Sequence, residues 1–150
     1  MIRNLKIAIT ELHALTSSQV DEVLALMHEL DPEIAVTEPM VRRTVEAPGT
    51  HFFAAMEDDG HIVGCASLCV FDSPTGRKAS VEDVVVASGA RRNGIGRALM
   101  EHVIDFAGRE LTPVDLHLTS RPARVAANLL YLSLGFERRE TNAYRLHIQE

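Results

Sequence analysis

The chain is 150 residues long, with a formal net charge of −6, 46% hydrophobic and 24% charged residues, and only two cysteines, Cys65 and Cys69. That length supports a single domain, 1–150, around one core that needs no disulfide staples. The acidic balance argues against a general nucleic-acid surface, no apolar run approaches the roughly 20 residues of a membrane span, and a reducing cytoplasm is the expected location.

In chain order, "LKIAIT" alternates Leu5, Ile7 and Ile9 and reads as a first strand. The N-terminal "MIRNLKIAIT" is expected to be too charged and too short for a secretory signal. "SSQVDEVLALMHEL" sets Val20, Val23, Leu24, Met27 and Leu30 at helical spacing, with Ser17 or Ser18 as cap and Asp31-Pro32 as stop. A shorter helix is expected over 38–47, with Thr37 as cap and Pro39 in its first turn. "HFFAAME" and "HIVGCASLCVF" read as strands joined by a "DDG" hairpin turn; "PTGRK" is a turn and "ASVEDVVVA" another strand. Cys65 and Cys69 fall on one face of their strand with Ser67, too far apart for a disulfide. A helix over 94–108, the strand "VDLHLTS", and a helix from about Pro122 to Leu134 ended by Gly135 follow. "FERRE" and "AYRLHI" complete the chain as a closing hairpin. The order β-α-α-β-β-β-α-β-α-β-β describes an α/β protein with a mixed sheet, antiparallel hairpins plus parallel crossovers.

The most informative stretch is "VVVASGARRNGIGRALMEH", a valine strand that turns into a helix through glycines and arginines. A helix N-terminus has unpartnered N–H groups and a positive dipole, and glycine lets an anion approach the backbone. The P-loop pattern fails here because Ile95 stands where lysine is required. The dinucleotide fingerprint fails because Leu99 occupies its third glycine position. What remains is R-x-x-G-x-G, as Arg91-Arg92-Asn93-Gly94-Ile95-Gly96.

With that loop, and with "AANLLYLSLGFE" carrying Ala127, Leu130, Tyr131, Gly135 and Phe136 in the pattern A-x-x-L-Y-x-x-x-G-F, the chain resembles the GNAT family of N-acetyltransferases. The resemblance covers nearly the whole chain, and the order of elements matches as well. It implies the acyl-CoA N-acyltransferase fold and acetyl-CoA as cosubstrate. The pyrophosphate is expected on residues Arg91, Arg92, Asn93, Gly94, Ile95, Gly96 and Arg97. The pantetheine arm is expected between two splayed parallel strands, 80–87 and 114–119, along the backbone of Val84, Val85 and Val86.

The resemblance further implies Tyr131 as general acid, since a phenol is protonated at neutral pH and can donate to a leaving thiolate. Glu82 is the expected base, with its neighbour Asp83 or water as alternatives. Glu82 shares parity with Val84 and Val86, and Asp83 is expected on the opposite face. Where many family members carry asparagine seven residues before the tyrosine, this chain has Arg124; Asn128, a turn later, is the substitute for contact with the cofactor. The seven histidines, at 13, 28, 51, 61, 102, 117 and 147, lack metal-ligand spacing, so no metal is expected.

The resemblance places the acceptor amine between the loop after the first helix, with Glu29, Asp31, Glu33 and Glu38, and the last hairpin, with Arg138, Arg139 and Arg145. The expected acceptor is a primary amine of a small molecule. A protein or peptide amine, and a silent domain that only senses acyl-CoA, are the alternatives. The final strand alternates Tyr144, Leu146 and Ile148 with polar residues and lacks the proline or lysine that blunts an edge, so a homodimer is expected there.

Overall fold

The computed structural model describes residues 6–150. The expected position of Leu5 lies outside the described residues. The chain divides into two compact units, Met1–Leu118 and Thr119–Glu150.

The first unit is built on a five-stranded sheet in the order β1-β2-β3-β4-β5. Its strands are β1 (Ile7–Leu12), β2 (Thr50–Glu57), β3 (Ile62–Ser73), β4 (Gly76–Val86) and β5 (Asp115–His117). β1 to β4 pair antiparallel and β5 joins β4 in parallel. The helices are α1 (Ser17–Leu30), α2 (Glu38–Glu46) and α3 (Ile95–Glu110).

Strict alternation in β2 lets one strand serve two cores. Phe52 joins a cluster with Val20, Val23 and Leu26 of α1 and Val41 and Val45 of α2. Phe53, 0% exposed, points the other way and meets the rings of His102 and Phe106 on α3 edge-on, at 5.2 and 5.3 Å. Truncating a phenylalanine so enclosed costs about 3–5 kcal/mol. On the α3 face, a Cβ at Gly64 would stand 3.1 Å from the Val85 carbonyl and 3.3 Å from Leu99 Cδ1, so any larger residue would push these neighbours back by a few tenths of an ångström.

Several boundaries differ from expectation. The cap of α1 is Thr16, whose hydroxyl accepts from the Gln19 N–H at 3.2 Å while Gln19 Oε1 accepts from the Thr16 N–H at 2.9 Å. This reciprocal pair needs Ser or Thr three residues before Gln or Glu, which neither Ser17 nor Ser18 satisfies. The β3–β4 turn shrinks to Pro74 and Thr75, because Lys78 Nζ donates to Thr75 Oγ1 at 2.6 Å and to Ser73 Oγ at 2.9 Å. β5 is short because its ladder to β4 covers only Lys78–Ser80. Beyond that point no described strand pairs with Val81–Val86 on this side, so the two parallel strands diverge.

The second unit carries α4 (Val125–Ser133). The N–H groups of Leu134 and Phe136 close its end on Leu130 and Tyr131 carbonyls, both at 3.1 Å. The expected closing hairpin is not formed: residues 134–150 contain no strand. Its intended turn, Thr141-Asn142, offers no glycine for the tight two-residue geometry, and an isolated two-stranded hairpin is marginal in water. Tyr144, Leu146 and Ile148 are 90%, 83% and 82% exposed.

Candidate active site

The site begins with a defect in β4. Ser67 faces Glu82 and Cys65 faces Val85, so Asp83 and Val84 together oppose Ala66. This is a β-bulge, and Asp83 sits in it at φ 52°. An extra residue inverts the alternation beyond it. Glu82 shares the α1/α2 face with Ser67 and Phe52, and after the bulge it is Val85 that returns to that face, beside Cys65 and Ala54. The expected parity of Glu82 with Val84 and Val86 is therefore broken, and the bulge also turns Asp83 toward the α1/α2 side. Of the three valines only Val85 is buried; Val84 and Val86 are half-buried.

Asp83 lines a cavity of about 170 Å³ between α1, α2 and the sheet. Its walls are apolar, with Met27, Leu30, Ile34, Met40 and Phe52 among them, and the Asp31 carboxylate is also at the wall. The Thr44 hydroxyl in the lining donates its proton to the Met40 carbonyl, at 2.9 Å, and keeps only its acceptor lone pairs. Burial, and then the neighbouring Glu82 charge, raise the Asp83 carboxyl above its usual range. No described residue donates a hydrogen bond to it. Asp83 and Glu82 are both exposed, but Glu82 accepts from the Ser80 hydroxyl at 2.5 Å and lies outside the cavity lining. The sequence signal for this arrangement was the acidic pair itself, interrupting a strand of valines.

The acidic loop is more occupied than its composition implies. Glu29 accepts from the Ser88 hydroxyl at 2.7 Å and from its N–H at 3.2 Å. Glu38 pairs with Arg42 at 2.8 Å, and Asp31 accepts from the Glu33 N–H at 3.1 Å.

Ser88 opens a 3₁₀ turn, Ser88–Ala90, that leads into the glycine-arginine loop. Gly94 caps α3 at φ 73°, and no side chain caps the helix. A Cβ at Gly94 would meet open space, so the glycine is required by its left-handed backbone rather than by crowding. The Asn93 amide donates to the Ala90 and Arg91 carbonyls at 2.9 and 3.1 Å, which braces the loop from within. Arg91 Nε donates to the Val86 carbonyl at 3.2 Å, and Arg97 lies 3.6 Å from Glu101. Arg91, Arg92 and Arg97 are exposed, Ile95 is buried and Gly96 half-buried. These features fit an anionic cofactor: uncapped N–H groups, cationic side chains, and an unpaired side of β4 next to them.

In the second unit, Tyr131 is buried, with its ring 6.1 Å from that of Phe136. Asn128 Nδ2 donates to the Arg121 carbonyl at 3.1 Å, holding the turn before α4, and Arg124 is exposed at the helix start. Arg138, Arg139 and Arg145 are exposed. His117, at the end of β5, has Nε2 buried without a partner. Cys65 is buried in the core, which pushes its thiol up to about 12, and neither cysteine is in a disulfide. Among the described residues no group of three or more His, Cys, Asp or Glu side chains is placed to hold a metal, and no helix is long and apolar enough to cross a membrane.

Residues 18–136 match the acetyltransferase (GNAT) family. The chain belongs to that family. Over 84 residues it is 37% identical to the streptothricin acetyltransferase of Streptomyces lavendulae, an alignment covering 56% of this chain and 43% of that relative, so the match spans less than half of the relative's length. Its fold is that of solved GNAT acetyltransferases. An aminoglycoside acetyltransferase from an uncultured soil metagenomic sample superimposes with a TM-score of 0.77 at 22% identity, covering 97% of this chain and 100% of the other. The aminoglycoside N-acetyltransferase AAC(6')-Iy, solved in complex with CoA, gives 0.74 at 17% identity, with 98% of each chain covered.

Proposed function

We propose that the protein is an acetyl-CoA-dependent N-acetyltransferase that acetylates a primary amine of a small molecule, working as one domain in the cytoplasm. The observation that carries this reading is the uncapped α3 N-terminus at Gly94, with exposed Arg91 and Arg92 beside the unpaired side of β4. A pyrophosphate suits those N–H groups and charges. An amide-bearing arm suits the side of Val84–Val86 that faces away from β3, as an added strand would, with the Arg91 contact to the Val86 carbonyl giving way to it. The family match supports a single domain, since it runs across both compact units. The names of the relatives support a small amine as acceptor.

Acetyl-CoA supplies the acetyl group activated as a thioester. The residues' work is to deprotonate, hold and protonate. An ammonium must first lose a proton, for which Glu82 or Asp83 is the available carboxylate on this face. The neutral nitrogen then forms the C–N bond while the C–S bond breaks. The departing sulfur takes a proton from Tyr131, and the second amine proton leaves with the base, so amide, free thiol and one proton are the net products. The test is thiol release from acetyl-CoA across a panel of small amines and peptides. Release with small primary amines is expected; release with peptides alone, or cofactor binding without turnover on any amine, overturns the reading.

A further inference from the structure

We propose that the cavity between α1, α2 and the β4 bulge selects an amine with a single positive charge on an apolar body, its ammonium against Asp83. This rests on the acetyl-transfer reading and names the acceptor class.

Three observations converge. The first is the wall. Met27, Leu30, Ile34, Met40 and Phe52 offer no hydrogen bonds; the polar lining besides Asp83 is the Thr44 hydroxyl, whose proton goes to the Met40 carbonyl, and the Asp31 carboxylate, which already accepts from the Glu33 N–H at 3.1 Å. A sugar ring or a polyamine chain placed there would leave most of its polar groups against the apolar wall without partners, which is costly. The second is the rim. Ile34 and Met40 are 55% and 38% exposed at the cavity, which is apolar surface that an apolar guest would cover. The third is Asp83. It is held at a left-handed φ of 52°, turned to the cavity by the bulge, and lacks a donor among the described residues. The left-handed backbone is a cost, and the exposed carboxylate, without a described donor, is open to an incoming group. An ammonium supplies the missing donor and charge.

Size completes the argument. The cavity of about 170 Å³ compares with the roughly 150 Å³ in which a dry apolar site holds benzene. A ring or a short alkyl chain with one terminal amine fits that measure.

The experiment has two arms. In the first, hexylamine, 2-phenylethylamine, spermidine and kanamycin compete as acceptors with acetyl-CoA. The two apolar monoamines should exceed the other two in kcat/KM by about 10-fold or more. Met40→Glu, a change at the cavity rim, should erase that preference. In the second arm, hexylamine is titrated into the protein without cofactor and followed by ¹³C-methyl NMR of the methionines. Saturable shifts of Met27 and Met40 are expected, lost in Asp83→Asn. Preference for spermidine or kanamycin overturns the acceptor class while leaving acetyl transfer intact. Absence of turnover with every amine defeats the acetyl-transfer reading, and the NMR arm still decides the cavity: unshifted Met27 and Met40 overturn it.

Discussion

Ser88 and Glu29 are bound to each other across 59 residues of chain, hydroxyl to carboxylate at 2.7 Å, with the Ser88 N–H donating to the same group at 3.2 Å. The bond joins the last turn of α1 to the 3₁₀ turn that launches the glycine-arginine loop. Both residues are exposed, so its contribution to global stability is small. Its effect is on where the loop starts. Glu29→Gln and Ser88→Ala should each raise the acetyl-CoA KM about 3- to 10-fold while shifting Tm by a few degrees at most, a range set by the loss of about 1 kcal/mol of hydrogen bonding. Steady-state kinetics beside a thermal melt checks both halves, and an unchanged KM would separate the latch from the loop.

Gly94 tests the cofactor corner itself. Its φ of 73° suits glycine and tolerates asparagine, so Gly94→Asn should fold with near-normal stability and Gly94→Ala should lose about 1 kcal/mol. In Gly94→Trp the Cβ meets open space and adds no clash, but the residue carries the left-handed strain of roughly 1–2 kcal/mol; below its melting temperature the variant should abolish CoA binding in calorimetry. Full affinity in Gly94→Trp would move the pyrophosphate elsewhere.

Tyr131→Phe keeps the ring packed against Phe136 and removes only the hydroxyl. As general acid, Tyr131 should account for a fall in turnover of roughly 10²–10⁴-fold, with acetyl-CoA affinity nearly constant. Turnover at the normal level would leave it a packing residue.

Asp83 gives a pH signature with a definite sign. Its carboxyl is raised in the folded state by burial and by Glu82, while Cys65 on β3 and Asp31 at the end of α1 add no cation nearby. The folded protein therefore holds this proton to higher pH than the unfolded chain does. Stability falls as pH rises from the ordinary aspartate value of 3.8 through the raised folded value, and the penalty persists above it. Asp83→Asn should raise Tm at pH 7 and leave it unchanged near pH 3, while acceptor turnover falls. A lower Tm at pH 7 would show that the charge is not a cost.

The exposed tail bears on assembly. Tyr144, Leu146 and Ile148 keep the alternation expected of a strand without forming one. A second copy that supplies the missing ladder would cover them, and the expected outcome is a dimer by light scattering at micromolar protein. Truncation after Asn142 should leave a monomer. A full-length mass of 16.5 kDa at all concentrations would exclude this pairing.

Much of the fold was legible because periodicity survives burial. The strand character of β2 and the helical spacing of α1 follow from patterns only apolar packing produces, and the glycine-arginine loop is local chemistry. The face of Asp83 was not legible. A bulge is a difference between two strands, and neither strand's own pattern contains it. The Glu29–Ser88 bond was hidden for the same reason, as a long-range pairing of residues ordinary in their own surroundings. The tail misled in the opposite direction: alternation states what a strand would bury, not whether a partner exists.

Where β5 ends, β4 continues as a stretch of sheet edge that no described strand pairs, in the interior of the chain rather than at its margin. Amides of Val81–Val86 not bonded to β3 would exchange with solvent quickly, and the same edge would recruit strands from other molecules in concentrated, ligand-free solution. A bound molecule that pairs with this edge acts as part of the fold. At 100-fold its dissociation constant it adds about 2.7 kcal/mol by mass action. The protein's shelf life, its refolding yield and its tolerance of mutation are then properties of the occupied chain, set in the cell by the supply of that molecule as much as by the sequence.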